Sequence, residues 1–230
     1  MFSVTVRGRY TTGNTMMNSY LISRNQQYAA GTPARIELYK NLLQPHFLFN
    51  SLNNLYALSL KKSEQTPEAI AGLSQLLERV VSCSRKDEVC LSEEIALINE
   101  YIALERIWLG DYSFLVDLQV KGDTRKIFIP PLTIYTLIEN AFKHGIRKCE
   151  DQGWITIHLL VKKDRVLVNI RNSVNEDCGN NHESNASNTG LGIEAVKRLL
   201  DDSFKKSYHL DARSIGNVFA VDLIIGQKAA

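Results

Sequence analysis

The sequence predicts an α+β chain: a helical hairpin that pairs with a second copy, followed by a two-layer α/β sandwich. Three observations carry this expectation. Apolar residues advance in steps of three and four from Ala34 to Val81, the spacing of amphipathic helices. From Phe114 onward, short runs of β-branched and apolar residues alternate with polar ones. Between the two textures, Ser92-Glu93-Glu94 opens a helix that runs to about Leu109 and stops at Gly110-Asp111.

Residues 1–33, with Gly8, Gly13 and Gly31 among scattered Thr, Asn and Gln, carry no sustained period. They read as a poorly ordered leader or the remnant of something longer. Residues 34–90 read as the hairpin. Ile36, Tyr39, Leu43, Phe47, Asn50 and Asn54 lie along one helix side, and Phe47, Leu48 and Phe49 fill inward positions. Pro45 is expected to bend or open that helix. After the break at Lys61 to Gln65, Thr66-Pro67-Glu68 supplies an N-cap, a proline at the first helical position and an early acid. Ile70, Leu73, Leu76, Leu77, Val80 and Val81 then give the second helix two apolar sides. A hairpin with two apolar sides is completed by a second hairpin, so a four-helix bundle in a homodimer is expected.

Residues 91–230 read as the sandwich. Phe114 to Val120 and Lys126 to Ile129 are extended, Pro130-Pro131 breaks the chain, and Leu132 to Gly145 is helical. Trp154 to Val161 and Val166 to Ile170 read as adjacent strands. Residues 173–188 are polar and read as a flexible loop, Ile193 to Leu200 as a helix, and Ser207 to Ala212 and Val218 to Ile225 as closing strands. One largely antiparallel sheet with helices on one face follows.

Composition excludes several classes. The 230 residues are 44% hydrophobic and carry 27 basic against 25 acidic side chains, which leaves no electrostatic footprint for nucleic acid. Cys83, Cys90, Cys149 and Cys178 have no metal-ligand spacing and suit a reducing, cytoplasmic setting. No apolar run approaches the ~20 residues that cross a bilayer.

Three motifs carry chemistry. Pro45-His46-Phe47-Leu48-Phe49-Asn50 sets a histidine and an asparagine on one helix face. An unprotonated imidazole is a phosphoryl acceptor near neutral pH, and Asn50 can orient it. Glu139, Asn140, Lys143 and His144 share a second helix face. The Asn140 amide oxygen suits Mg²⁺, Lys143 suits phosphate, and Glu139 suits a metal-bound water or proton transfer. Thr189-Gly190-Leu191-Gly192 ends the polar loop at a helix start, where backbone N–H groups approach an anion.

Taken together, these residues resemble the catalytic part of LytS-like sensor histidine kinases, from about Leu42 to the C-terminus. The resemblance implies a Bergerat-type ATPase fold, His46 as phosphoacceptor, and Asn140 as the Mg²⁺ ligand. Glu139, Lys143 and His144 would complete the N-box, and Gly190 and Gly192 the G-box. It also implies ATP and Mg²⁺ as cofactors, a response-regulator receiver domain as partner, and membrane attachment only through a segment not contained here. Leu42 stands where the family often has Gln. Asn172-Ser173-Val174 occupies the place of its Asp-x-Gly-x-Gly element, so Asn172 would meet the adenine amino group through a neutral oxygen. ATP-dependent autophosphorylation on His46 is the leading expectation. A catalytically impaired dimeric scaffold that binds nucleotide weakly is the alternative.

Overall fold

The computed structural model describes residues 45–110, 114–149, 153–163, 165–174, 186–205 and 207–226; within its first and last helices, side chains are described from Phe49 and from Gly192 onward. Helix α1 (Pro45–Leu60) and helix α2 (Thr66–Ser84) form the hairpin. A two-residue strand β1 (Val89–Cys90) leads directly into α3 (Leu91–Leu109). The second half follows as β2 (Phe114–Lys121), β3 (Phe128–Ile129), α4 (Thr133–His144), a 3₁₀ turn at Ile146–Lys148, β4 (Gly153–Val161), β5 (Arg165–Ser173), α5 (Ala186–Phe204), β6 (Tyr208–Ile215) and β7 (Val218–Gly226).

The main sheet has the order β2-β4-β5-β7-β6. The β2–β4 pair is parallel, with α4 in the crossover, and the other three pairs are antiparallel. Period-two alternation sends Ile155, Ile157 and Leu159 of β4 and Val166, Val168 and Ile170 of β5 into the core. There they meet α4 and, from α5, Ala195, Val196, Leu199 and Leu200. The opposite sheet face is polar: Asp222 accepts from Asn169 at 2.5 Å, Arg171 at 2.7 Å and Arg213 at 3.0 Å, and His158 lies 3.0 Å from Asp117. This division places α4 and α5 on the same side of the sheet.

The hairpin is tied to the rest through α3. Glu100 accepts from Arg79 at 2.9 Å, and one apolar cluster runs from Leu73, Leu76 and Val80 through α3 into the sheet. Along α1 a different stripe stays open: Phe49 is 63% exposed, Leu52 57%, Tyr56 65% and Leu60 66%, with Ile70 of α2 at 50%.

Several expectations are corrected. Phe49 points outward, because α2 alone cannot cover both sides of α1. Thr66 lies inside α2, whose N-cap is Gln65 without a side-chain cap bond; the Thr66 hydroxyl instead donates to the Ser63 carbonyl at 2.8 Å. The sheet is not single: β1 and β3 pair antiparallel as a second, two-stranded sheet, with Val89 opposite Ile129. Finally, α5 begins at Ala186, so residues 186–188 and the glycine motif are helical rather than the end of a loop. The first four N–H groups of a helix are the ones without intrahelical partners, and Gly190 and Gly192 stand beyond them. The expected bend before Pro45, the leader, and most of the polar loop lie outside the described residues. Among the described residues, no helix is long and apolar enough to cross a membrane.

Candidate functional site

Helix α4 organises the site. Its entry is conformationally constrained: Pro130 and Pro131 have no N–H to offer, and Leu132 sits in the left-handed region at φ 66°. Thr133 donates its hydroxyl to the Pro130 carbonyl at 2.7 Å, and Thr136 donates to the Leu132 carbonyl at 2.6 Å. The first free N–H groups of α4 find their acceptor in another helix. Glu94 of α3, 1% exposed, accepts from Thr133 N at 3.0 Å, Ile134 N at 2.9 Å and Tyr135 N at 3.2 Å. Burial pushes its carboxyl up to about 7, against the pull of these donors. Edge-to-face rings complete the seating of α4: Tyr101 meets Tyr135 at 5.3 Å and Phe142 at 5.4 Å, and Phe142 meets Phe114 at 5.1 Å.

Asn140 projects from α4 toward α5, 8% exposed, with its Nδ2 buried and unpartnered among the described residues. A Cβ on Gly192 would stand 2.3 Å from that Nδ2 and 2.8 Å from Oδ1. Only glycine lets α5 come this close to the amide. At the C-terminal end of α4, the same relation recurs between Gly145 and Asn172. A Cβ on Gly145 would lie 2.0 Å from Asn172 Nδ2, 2.6 Å from the Ala141 carbonyl oxygen and 2.7 Å from the Ser173 carbonyl oxygen.

Asn172 continues the inward series Val166, Val168, Ile170 on β5 and is 1% exposed. Its Nδ2 donates to the Ser173 carbonyl at 2.9 Å, which fixes the amide orientation, and its Oδ1 is left buried without a donor among the described residues. A buried acceptor in that condition is expensive unless a ligand supplies the donor.

The remaining polar face of α4 is graded. Glu139 is half-buried; burial raises its carboxyl, while the charges of Lys143 and Arg147 act the other way. His144 has both ring nitrogens buried and unpartnered among the described residues, and burial, followed by the charges of Lys143 and Lys148, lowers it to about 4. It is therefore neutral at pH 7. Beneath this face, fully buried Glu105 accepts from Arg147 at 2.5 Å, and the Arg147 guanidinium lies 5.8 Å over the Trp108 ring.

The structure thus brings together Asn140, Gly192 and the α4 face carrying Glu139, Lys143 and His144, with Asn172 against Gly145 just past the C-terminal end of the same helix. His46 is the second residue of α1, with Asn50 one turn on and half-buried. The side chains of His46, Thr189 and Leu191 are not among those described, and Gly190 is described only as part of the α5 backbone. Sequence reasoning missed Glu94, Gly145, Glu105 and Arg147 as parts of this arrangement. Gly145 ended a motif already under suspicion; for the others, nothing local in the sequence points across the roughly forty residues that separate each pair.

A mixed sheet with helices on one face, preceded by a helical hairpin, and asparagines set against glycines along and just past the C-terminal half of one helix, resemble the Bergerat-type fold. A family model described as histidine kinase matches residues 34–113. The chain is 25% identical over 192 residues to the sensor protein LytS of Staphylococcus haemolyticus, covering 80% of this chain and 33% of that protein. It is 27% identical over 184 residues to the sensor histidine kinase BtsS of Escherichia coli K12, covering 80% and 31%. The histidine kinase domain of the Erythrobacter litoralis EL346 blue-light activated kinase aligns with a TM-score of 0.43 at 16% identity, over 85% of this chain and 95% of that one. The chain is similar to these sensor histidine kinases, and spans about a third of the length of the curated relatives it matches.

Proposed function

We propose that this chain is the kinase core of a two-component sensor, with residues 34–90 as the dimerisation and phosphotransfer part and 91–230 as the nucleotide-binding part. ATP sits between α4 and α5, its base against Asn172 and its phosphates toward Asn140, Lys143 and the start of α5. A nitrogen of neutral His46 attacks the γ-phosphorus, the bond to the β,γ-bridging oxygen breaks, and ADP leaves. The phosphoryl group then passes to an aspartate of a receiver domain. Lys143 supplies charge, and Asn50 orients the imidazole. Thr189, Gly190 and Leu191 lead the phosphate side toward Gly192. Glu139 is the nearest carboxyl on the α4 face for proton or water handling, and His144 stays neutral beside it.

The donor chemistry fits Mg²⁺. A buried, neutral amide is a hard oxygen ligand, and Mg²⁺ ordinarily keeps several waters and takes few protein ligands besides the phosphates. Asn140 would hold it, and the ion would neutralise phosphate charge.

The single observation that carries the reading is the pair of buried asparagines, each closed over by a glycine that no side chain can replace without displacement. The open stripe Phe49, Leu52, Tyr56 and Leu60 supports a homodimer through the hairpin; Leu52→Glu with Tyr56→Glu should yield monomers by sedimentation, and an unaltered mass would remove that surface from the interface. The deciding experiment is incubation with γ-labelled ATP and Mg²⁺, comparing wild type with His46→Gln. Acid-labile, alkali-stable label lost in the variant supports the kinase; label retained in the variant refutes His46 as acceptor.

One observation favours a second reading, a dimeric scaffold with weak nucleotide binding. Asn172 brings no charge to the base, and its amide is engaged with Ser173. Nucleotide binding without label would favour that reading.

A further inference from the structure

We propose that Glu94 is a positioning residue for the nucleotide site: from α3 it sets the placement of α4, and so of Asn140, without touching the ligand. The inference rests on the nucleotide-site reading above and deepens it.

The N-terminus of α4 has no cap of its own. Leu132 makes no side-chain cap bond, and the two residues before it are prolines. The helix start is nonetheless deep in the core, where unpaired N–H groups are strongly unfavourable. Glu94 resolves this with both carboxylate oxygens, one taking Thr133 N and the other taking Ile134 N and Tyr135 N. Its neighbour Glu93 serves α3 instead, accepting from Cys90 N at 3.3 Å and from Lys86 Nζ at 2.7 Å. Adjacent acids thus serve the starts of two different helices. The consequence is mechanical. Asn140 lies about 10 Å along the axis from the capped turn. Its amide has less than van der Waals clearance for any methyl at Gly192. A small tilt or slide of α4 moves that amide relative to α5, and Glu94 is the polar pin that holds α4 to α3. Because α3 is also bonded to α2 through Glu100, the pin joins the hairpin to the nucleotide helix.

Glutamine in place of Glu94 keeps the size, yet offers only one acceptor oxygen and turns an N–H₂ donor toward a backbone donor. The test is titration of the full chain with MgATP, wild type against Glu94→Gln, with thermal unfolding of both. The expected result is a Kd raised about fivefold or more, the order that loss of one charge-assisted hydrogen bond allows, at unchanged stoichiometry. A merely structural cap would lower the binding-competent fraction and leave Kd unchanged, which would overturn the proposal. Absence of MgATP binding by the wild type would instead overturn the nucleotide-site reading itself.

Hydrogen exchange on the wild type keeps the proposal falsifiable where the variant does not fold. If every opening of the cap abolishes binding, MgATP at a hundred times its Kd slows the amides of Thr133, Ile134 and Tyr135 by about a hundredfold. Slowing of these three beyond that of the α2 amides supports the coupling; equal or absent slowing refutes it.

Discussion

Replacing Gly192 with alanine sets two effects of opposite sign against each other. Gly192 is helical, so intrinsic propensity alone favours alanine by roughly 0.8–1 kcal/mol, part of it from a less flexible unfolded chain. The added Cβ, however, falls 2.3 Å from Asn140 Nδ2, 2.8 Å from Oδ1 and 2.9 Å from Cγ. Reaching ordinary contact requires a shift of about 1 Å, and overpacking of this kind costs about 1–3 kcal/mol. The amide that must yield is buried and on a helix seated by three aromatic contacts. Global stability is therefore expected to stay level or fall by up to about 2 kcal/mol, the difference between those ranges. Nucleotide affinity should fall far more, since a displacement of about 1 Å at a positioned group can remove two orders of magnitude of function. Thermal unfolding together with MgATP titration separates the two. A Gly192→Ala protein that is stabilised and binds MgATP normally would refute the close packing of α5 on Asn140.

Three further outcomes are expected. Asn172→Asp places a carboxylate oxygen where an amide now donates to the Ser173 carbonyl, so the free protein should melt lower; adenine nucleotides should raise its melting temperature more than they do for wild type, and an equal response would place this residue away from the base. Arg147→Ala leaves Glu105 as an uncompensated buried carboxylate and should destabilise by about 3–5 kcal/mol in denaturant unfolding, whereas a loss under about 1 kcal/mol would mean the pair is not buried as described. His144 is held neutral, its folded value near 4 lying below the ordinary 6.5, so the unfolded chain binds the extra proton between those values. Its contribution is present above pH 6.5 and lost as pH falls toward 4. The stability difference between wild type and His144→Gln should therefore rise with pH across that window; a flat difference would refute the burial argument. Glu94, shifted upward, acts with the opposite sign, and the comparison with a single variant cancels it.

What could be read from the chain alone follows physical range. The alternation on β4 and β5 is local, because each residue's face is set by its own parity; Asn172, beyond the expected strand end at Ile170, was singled out only through the family resemblance. The shared face of Glu139, Asn140, Lys143 and His144 is likewise a matter of helical period. The start of α5 was misjudged because glycine was read as a helix boundary, while in the structure the demand for glycine is a contact with Asn140. Phe49 was misjudged because an amphipathic pattern reports that a face is apolar, not which neighbour covers it.

The sequence by itself determined the α+β class, the order of the main elements, and the candidates for the chemistry, since period and motif depend on neighbours a few positions apart. Only the tertiary structure decided that β2 runs parallel to β4, that β1 pairs with β3, that Gly145 and Gly192 each close over an asparagine, and that Glu94 caps a helix starting 39 residues later. These relations are made by backbone groups and small contacts between distant segments. A backbone N–H looks the same at every position of a sequence, and only packing selects the one that a buried carboxylate must meet.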